Sequence, residues 1–272
     1  GYSSAASDVY KRQSKGCSER TKESMLAPNN ELNTIKKIYA IHSGKGGVGK
    51  SFVTSMLAVS LAKKGYKVGI LDADITGPSI PTAFGVKEQL RGNEQVMYPA
   101  ETKLGIKIVS INLLLDDPTQ PVAWRGPILG NAIKQFYSDV YWGELDYLFV
   151  DMPPGTGDVA LTVFQSLPVD GVVIVTTPQD LVSMIVGKAV HLANMMNIKI
   201  VGMVENMSYM KCPCCDNPLY PFGPSQLESV SQQYGLEPLA ALPINPELTK
   251  RIDRGEIEDM DYPYLDTAIS KL

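Results

Sequence analysis

Gly44-Lys45-Gly46-Gly47-Val48-Gly49-Lys50-Ser51 is the stretch that decides the fold. It satisfies the phosphate-loop pattern G-x-x-x-x-G-K-[ST]. Glycines let such a loop wrap closely, so that successive backbone N–H groups face phosphate oxygens. A helix starting near Lys50 adds the positive end of its dipole. Lys50 is then expected to reach the β- and γ-phosphates of ATP, and Ser51 Oγ to ligate Mg²⁺. Gly44, Gly46 and Gly49 also fit the dinucleotide fingerprint G-x-G-x-x-G, and Asp72 follows roughly 20 residues later, where that fold places its ribose-binding acid. Two features decide for the phosphate loop. Lys50-Ser51 supplies a cation and a metal-binding hydroxyl that a dinucleotide site does not need. Asp151, after the apolar run 147–150, stands where a Walker B carboxylate should.

Outward from the loop, residues 38–41 read as a buried strand, and a helix is expected over 50–64, stopping at Gly65. Further strands are expected at 67–71, 106–111, 147–150, 171–176, 198–204 and 239–242, with helices at 127–141, 159–166, 181–196 and 225–234. The alternation implies βαβ units and an α/β fold, a mostly parallel sheet with helices on both faces. No linker or repeat divides residues 35–272, which read as one ATPase domain. Residues 1–34 are polar and lack a hydrophobic period, so they are expected to be disordered. Their opening, Gly1-Tyr2-Ser3-Ser4-Ala5-Ala6-Ser7, reads more like cloning-derived sequence than a domain start.

Lys and Arg number 25 against 29 Asp and Glu, a net charge of −4, with no basic block; a nucleic-acid-binding surface is therefore not expected. There is no run of 18 apolar residues and no secretory h-region, so the expected location is cytoplasmic, without a membrane. His42 and His191 are the only histidines, which disfavours a His-based triad or metal site. Of four cysteines, Cys212, Cys214 and Cys215 lie too close together for a framework of disulfides, and in a reducing compartment point to metal or redox chemistry.

Two acidic segments are expected to flank the phosphates. A carboxylate in Asp72-Ala73-Asp74 is placed to sit near the γ-phosphate and orient the attacking water; alternatively both cap a loop and helix. Asp151 is placed to hold a Mg²⁺ water or the Ser51 hydroxyl. Pro153-Pro154-Gly155-Thr156-Gly157 restricts a loop that must respond to the γ-phosphate, and Asp158 is expected to N-cap the next helix.

Cys212 and Cys215 have the C-x-x-C spacing that lets two thiolates ligate one centre. Cys214, between them, points elsewhere in most loop conformations. A dithiol redox role is disfavoured, because the pair follows a late strand. Two thiolates leave a four-coordinate site incomplete, and a symmetric dimer supplies the other two. Zinc and [4Fe–4S] both suit four thiolates.

Lys45, with Lys-Gly-Gly-x-Gly-Lys-Ser, resembles the deviant Walker A signature of the MinD/ParA/nitrogenase-iron-protein class. That resemblance implies a homodimer sandwiching ATP, with Lys45 reaching the partner's nucleotide. It also implies the switch I role for Asp74 and support of Mg²⁺ through water by Asp72, so that Lys45, Lys50 and Asp74 form the catalytic set. The wider pattern is the 72–81 and 151–158 segments, Trp124-Arg125-Gly126-Pro127, Thr176-Thr177-Pro178-Gln179 and Val204-Glu205-Asn206-Met207-Ser208. Over about 35–255 it closely resembles the Mrp/ApbC family of iron–sulfur cluster carrier ATPases. The resemblance implies a bridging [4Fe–4S] cluster on Cys212 and Cys215, taken from cluster donors and transferred to apo iron–sulfur proteins. It implies slow ATP hydrolysis used as a conformational switch. It also places Asn206 on adenine, with the Leu242-Pro243-Ile244 turn nearby. Eukaryotic relatives carry a second, N-terminal four-cysteine cluster; here only Cys17 stands there, expected as a free thiol, while Cys214 replaces the residue usual between the ligands. The alternatives are a MinD/ParA-like positioning ATPase, or a regulatory ATPase with a structural zinc. The acidic 259–266 tail speaks against a membrane-binding helix.

Overall fold

The computed structural model describes residues 26–28, 30–74, 79–87, 89–92, 96–113, 126–179 and 182–272. Strand β1 (Thr34–His42) feeds the phosphate loop, and its second half is wholly buried. Helix α1 (Lys50–Lys63) follows, with the turn at Gly65 (φ +90°). Next come β2 (Val68–Asp72) and α2 (Ser79–Ala83). The short strands β3 (Arg91–Gly92), β4 (Met97–Tyr98) and β5 (Ala100–Glu101) lead to β6 (Lys107–Ser110). Then follow α3 (Gly126–Ser138), β7 (Glu144–Asp151), α4 (Asp158–Ser166), β8 (Gly171–Thr176) and α5 (Val182–Met195). The chain ends with β9 (Ile200–Lys211), β10 (Pro218–Leu219), α6 (Leu227–Tyr234), β11 (Pro238–Ile244), α7 (Pro246–Asp253) and α8 (Asp266–Lys271).

The main sheet runs β10-β9-β8-β1-β7-β2-β6-β5, with β11 also on β9; only the β9–β10 and β5–β6 pairings are antiparallel. It is thus the mostly parallel, two-sided sheet expected from the sequence. Because both faces are covered, the central strands are continuous apolar runs, as in β8, all of whose residues are buried. The side-chain alternation of β1 splits the interior. Tyr39 and Ile41 pack with Met56 and Leu57 of α1. Ile38 and Ala40 share the other core with Phe136 of α3 and Phe164 of α4.

Several boundaries differ from expectation, for identifiable reasons. β9 continues to Lys211 because Glu205, Asn206 and Ser208 find internal hydrogen-bond partners, and because β11 and β10 pair with its second half. α3 stops at Ser138, since Met97 exchanges backbone hydrogen bonds with Asp139 and Tyr141. Asp158 is not an N-cap: Gly157 occupies that position without a side-chain bond, and Asp158 contributes its charge to the helix's first turn. The expectation of disorder as far as residue 34 is corrected as well. The Ala27 N–H bonds Ser166 O at 2.8 Å, and buried Asn33 bridges Val140 O (2.8 Å) and the Gly143 N–H (3.0 Å). Residues 1–25, with Cys17, lie outside the described residues, as do 75–78 and Trp124-Arg125. No helix among the described residues is long and apolar enough to cross a membrane.

Candidate functional site

The loop sits at the carboxyl end of β1, where open parallel sheets place their ligands. Gly49 takes φ +80° at the N-cap of α1, a conformation that favours glycine. Space demands it too: a Cβ there would lie 2.2 Å from Asn206 Nδ2. At Gly44, a Cβ would meet Ile185 Cγ2 at 2.5 Å. Over the loop opens a cavity of ≈ 350 Å³, lined by Gly46, Gly47, Lys50, Ser51, Asp74 and Pro154 among others. The first turn of α1 carries no acidic residue of its own, and the positive end of its dipole faces that space.

Beneath the cavity, adjacent strands bring Asp72 and Asp151 side by side. Asp151, fully buried, accepts hydrogen bonds from Ser51 Oγ (2.5 Å) and Thr54 Oγ1 (2.8 Å) and pairs with Lys50 Nζ at 2.8 Å. Lys50 also lies 3.4 Å from Asp74 Oδ2. Asp72 accepts the Ser110 hydroxyl (2.9 Å) and the Asp74 N–H (3.1 Å). Burial, reinforced by the neighbouring Asp151 carboxylate, pushes the Asp72 carboxyl well above the usual carboxylate range; Ser110, Lys50 and the Asp74 N–H pull the other way. Asp151 and Asp74 thus share one buried lysine, with the Asp72 carboxyl beside them. With the Ser51 hydroxyl they offer hard oxygens, the donor type that magnesium takes in preference to a soft metal, without closing an ion site by themselves. The acidic segments are tied to the loop through backbone: Ala73 N–H to Asp151 O (2.9 Å) and Gly155 N–H to Ser43 O (2.9 Å).

The remaining candidates are spread around this centre. Lys45 Nζ hydrogen-bonds Gln179 Oε1 of the same chain. Asn206, on β9, donates Nδ2–H to Val48 O at 2.9 Å, so it braces the loop from below. Pro243 is buried on β11 opposite Tyr209. Cys212, Cys214 and Cys215 are free thiols in the turn between β9 and β10, Cys212 half-buried and the other two exposed. The Cys212 N–H bonds Asn217 O (2.9 Å) and the Asp216 N–H bonds Cys212 O (3.0 Å), which closes the turn. The Cys212 thiol is lowered below the usual thiol range, first by the Cys214 N–H and then by the Cys215 thiol and N–H directed at its sulfur. Among the described residues, no three His, Cys, Asp or Glu side chains are arranged to hold a metal ion by themselves.

Sequence reasoning missed Thr54, Ser110 and Gln179 as supporting groups, and Ile252 and Ile257 as cavity walls. Thr54 had a usable signal, since it lies one helical turn beyond Lys50 on the same face. Ser110 and Gln179 reach the site only through strand order.

Comparison with known proteins agrees with this geometry. The family model described as NUBPL iron-transfer P-loop NTPase matches residues 34–269. An iron–sulfur cluster carrier protein of Clostridium perfringens is 48 % identical over 233 residues, covering 83 % of this chain and 82 % of that protein. A nucleotide-binding protein of Archaeoglobus fulgidus, solved in complex with ADP, superposes with a TM-score of 0.77 at 43 % identity, over 85 % of this chain and 90 % of that one. The cell division ATPase MinD of Pyrococcus furiosus, 21 % identical with a TM-score of 0.59 over 87 % of this chain and 98 % of its own, shares the fold. This chain therefore belongs to the NUBPL iron-transfer P-loop NTPases, a family of nucleotide-binding iron–sulfur cluster carriers.

Proposed function

We propose that the chain acts as a homodimeric ATP hydrolase that takes up a [4Fe–4S] cluster on Cys212 and Cys215 and passes it to apo iron–sulfur proteins. The observation that carries this is the turn itself. Soft, free thiols stand at the exposed end of the strand that braces the phosphate loop, and one chain offers half of the thiolates a cluster needs.

In this reading the backbone of residues 44–49 and the Lys50 ammonium bind the ATP phosphates, as supported by the ADP-bound Archaeoglobus fulgidus relative. Ser51 would ligate Mg²⁺, with Asp151 and Asp72 receiving its waters; the ion, when bound, neutralises phosphate charge. Asp74, beside Lys50, orients the attacking water. Lys45 leaves Gln179 and reaches the partner's nucleotide across the dimer. Asn206 keeps one amide N–H and its carbonyl for adenine, with Pro243 near. Thiolates that carry an oxygen-sensitive cluster suit a reducing cytoplasm.

Anaerobic reconstitution with iron and sulfide tests the cargo. The native protein should acquire broad iron–sulfur absorption, and Cys212→Ala and Cys215→Ala should each lose it. Native protein that stays colourless and holds stoichiometric zinc instead would sink the carrier reading.

A further inference from the structure

β9 connects the two halves of the proposed function in one uninterrupted strand. Its residues 200–205 are paired with β8; beyond Glu205 the strand overhangs that neighbour. At this point it bulges. Two steps along β11, Ala241 to Pro243, match four along β9, Glu205 to Tyr209. Met207 takes φ +56°, a left-handed conformation uncommon outside glycine, asparagine and aspartate. The bulge is clamped from within: fully buried Glu205 accepts the Ser208 hydroxyl at 2.6 Å and the Gln226 N–H at 2.8 Å.

The phosphate loop rests on this bulge. Asn206 Nδ2 donates to Val48 O, and a Cβ on Gly49 would meet Asn206 Nδ2 at 2.2 Å and Met207 Cε at 3.9 Å. The loop thus has no spare room against β9 at Gly49, and a shift of Val48 pulls on Asn206 through their hydrogen bond. Six residues on, a span of at most about 20 Å at ~3.3 Å per residue, the same strand delivers Cys212. The turn there is fixed to β9 by the pairing of Lys211 with Pro218 and by the Cys212–Asn217 bond. We propose that the 205–208 bulge is the device through which nucleotide at the loop sets the geometry of the cysteine turn. Asn206 is the positioning residue on the loop side, and the Glu205–Ser208 pair holds the bulge in register. This rests on the reading of the loop as a nucleotide site and of the thiols as an ion or cluster site.

Coupling of this kind is reciprocal and is measurable as a shift in affinity. Co²⁺ alone serves as the thiolate probe, because its sulfur-to-metal charge-transfer band reports only thiolate-bound ion. The full chain is titrated anaerobically with Co²⁺, with and without saturating Mg·ADP, in the native protein and in Ser208→Ala. Native protein should show a midpoint shift of about fivefold or more, within the usual range of coupling between sites. In Ser208→Ala the shift should fall below about twofold, while ADP affinity stays within about threefold of native, since the hydroxyl does not touch the cavity. Should Ser208→Ala not fold, Glu205→Gln, which keeps the side chain's shape but replaces the charged acceptor of the clamp with a weaker neutral amide, is measured with the same expectation. A native protein whose Co²⁺ midpoint ignores ADP overturns the proposal; so does a variant that keeps the full native shift. Reconstitution yielding zinc instead of iron–sulfur would remove the carrier function and leave this result standing, because the titration depends only on the thiols.

Discussion

At the scale of single residues, His42 shows what the interior of the site imposes. It ends β1, is 1 % exposed, and lies edge-on to Phe164 with ring centroids 5.6 Å apart. Neither ring nitrogen has a hydrogen-bond partner among the described residues. Burial, with the Lys50 charge as a second cause, lowers its pKa from 6.5 to about 4. The native state therefore refuses a proton that the unfolded chain accepts near 6.5. The contribution is complete above that pH and is lost as pH falls toward 4. From this group alone the protein should be about 2 kcal/mol less stable at pH 5 than at pH 7.5. Urea unfolding of native protein and His42→Phe at both values checks this; an identical pH dependence in the two would refute it. The proximity of Lys50, Ser51 and Asp151 was legible in the sequence, because spacing beside a strand end fixes it. Ser110 and Gln179 were illegible, since only the order β7-β2-β6 and the approach of residue 179 to the loop bring them in.

At the scale of elements, legibility followed burial. β8 was read at its observed bounds because every residue in it is buried and all but its terminal Gly and Thr are apolar. The second half of β9 was hidden by Glu205, Asn206 and Ser208, polar residues whose partners lie on other segments. α7 was invisible for the opposite reason: it buries none of its residues completely, so it has no wide apolar stripe to detect. Its start depends instead on Asn245, whose side chain accepts the Glu247 N–H at 3.0 Å ahead of Pro246. Since α7 supplies Ile252 to the cavity wall, Asn245→Ala should fray that wall at a cost of about 1 kcal/mol. Hydrogen exchange should then accelerate across 247–253 and stay unchanged in β1 and β7. Uniform acceleration throughout the sheet would show that the cap acts globally.

At the scale of the whole molecule, the proposed homodimer turns on Lys45 and the cysteine turn. Lys45 is occupied by Gln179, and the cysteine turn lacks ligands for a closed site. If the homodimer completes both, Lys45→Ala should elute as a monomer with a non-hydrolysable ATP analogue under conditions where the native protein is a dimer. Its ATP turnover should fall about a hundredfold or more, the scale on which loss of a single transition-state contact acts. Light scattering after gel filtration, read alongside phosphate release, tests this; a variant that dimerises and hydrolyses as native protein does would take the trans role away from Lys45.

The cysteine turn also lies where β9 has outrun β8, and residues 213–220 are all exposed. None of them belongs to a core cluster. The turn is therefore an attachment set outside the packed interior, anchored by the pairing of Lys211 with Pro218. Its sequence is free to change without repacking the interior, provided that the strand beneath it is left intact.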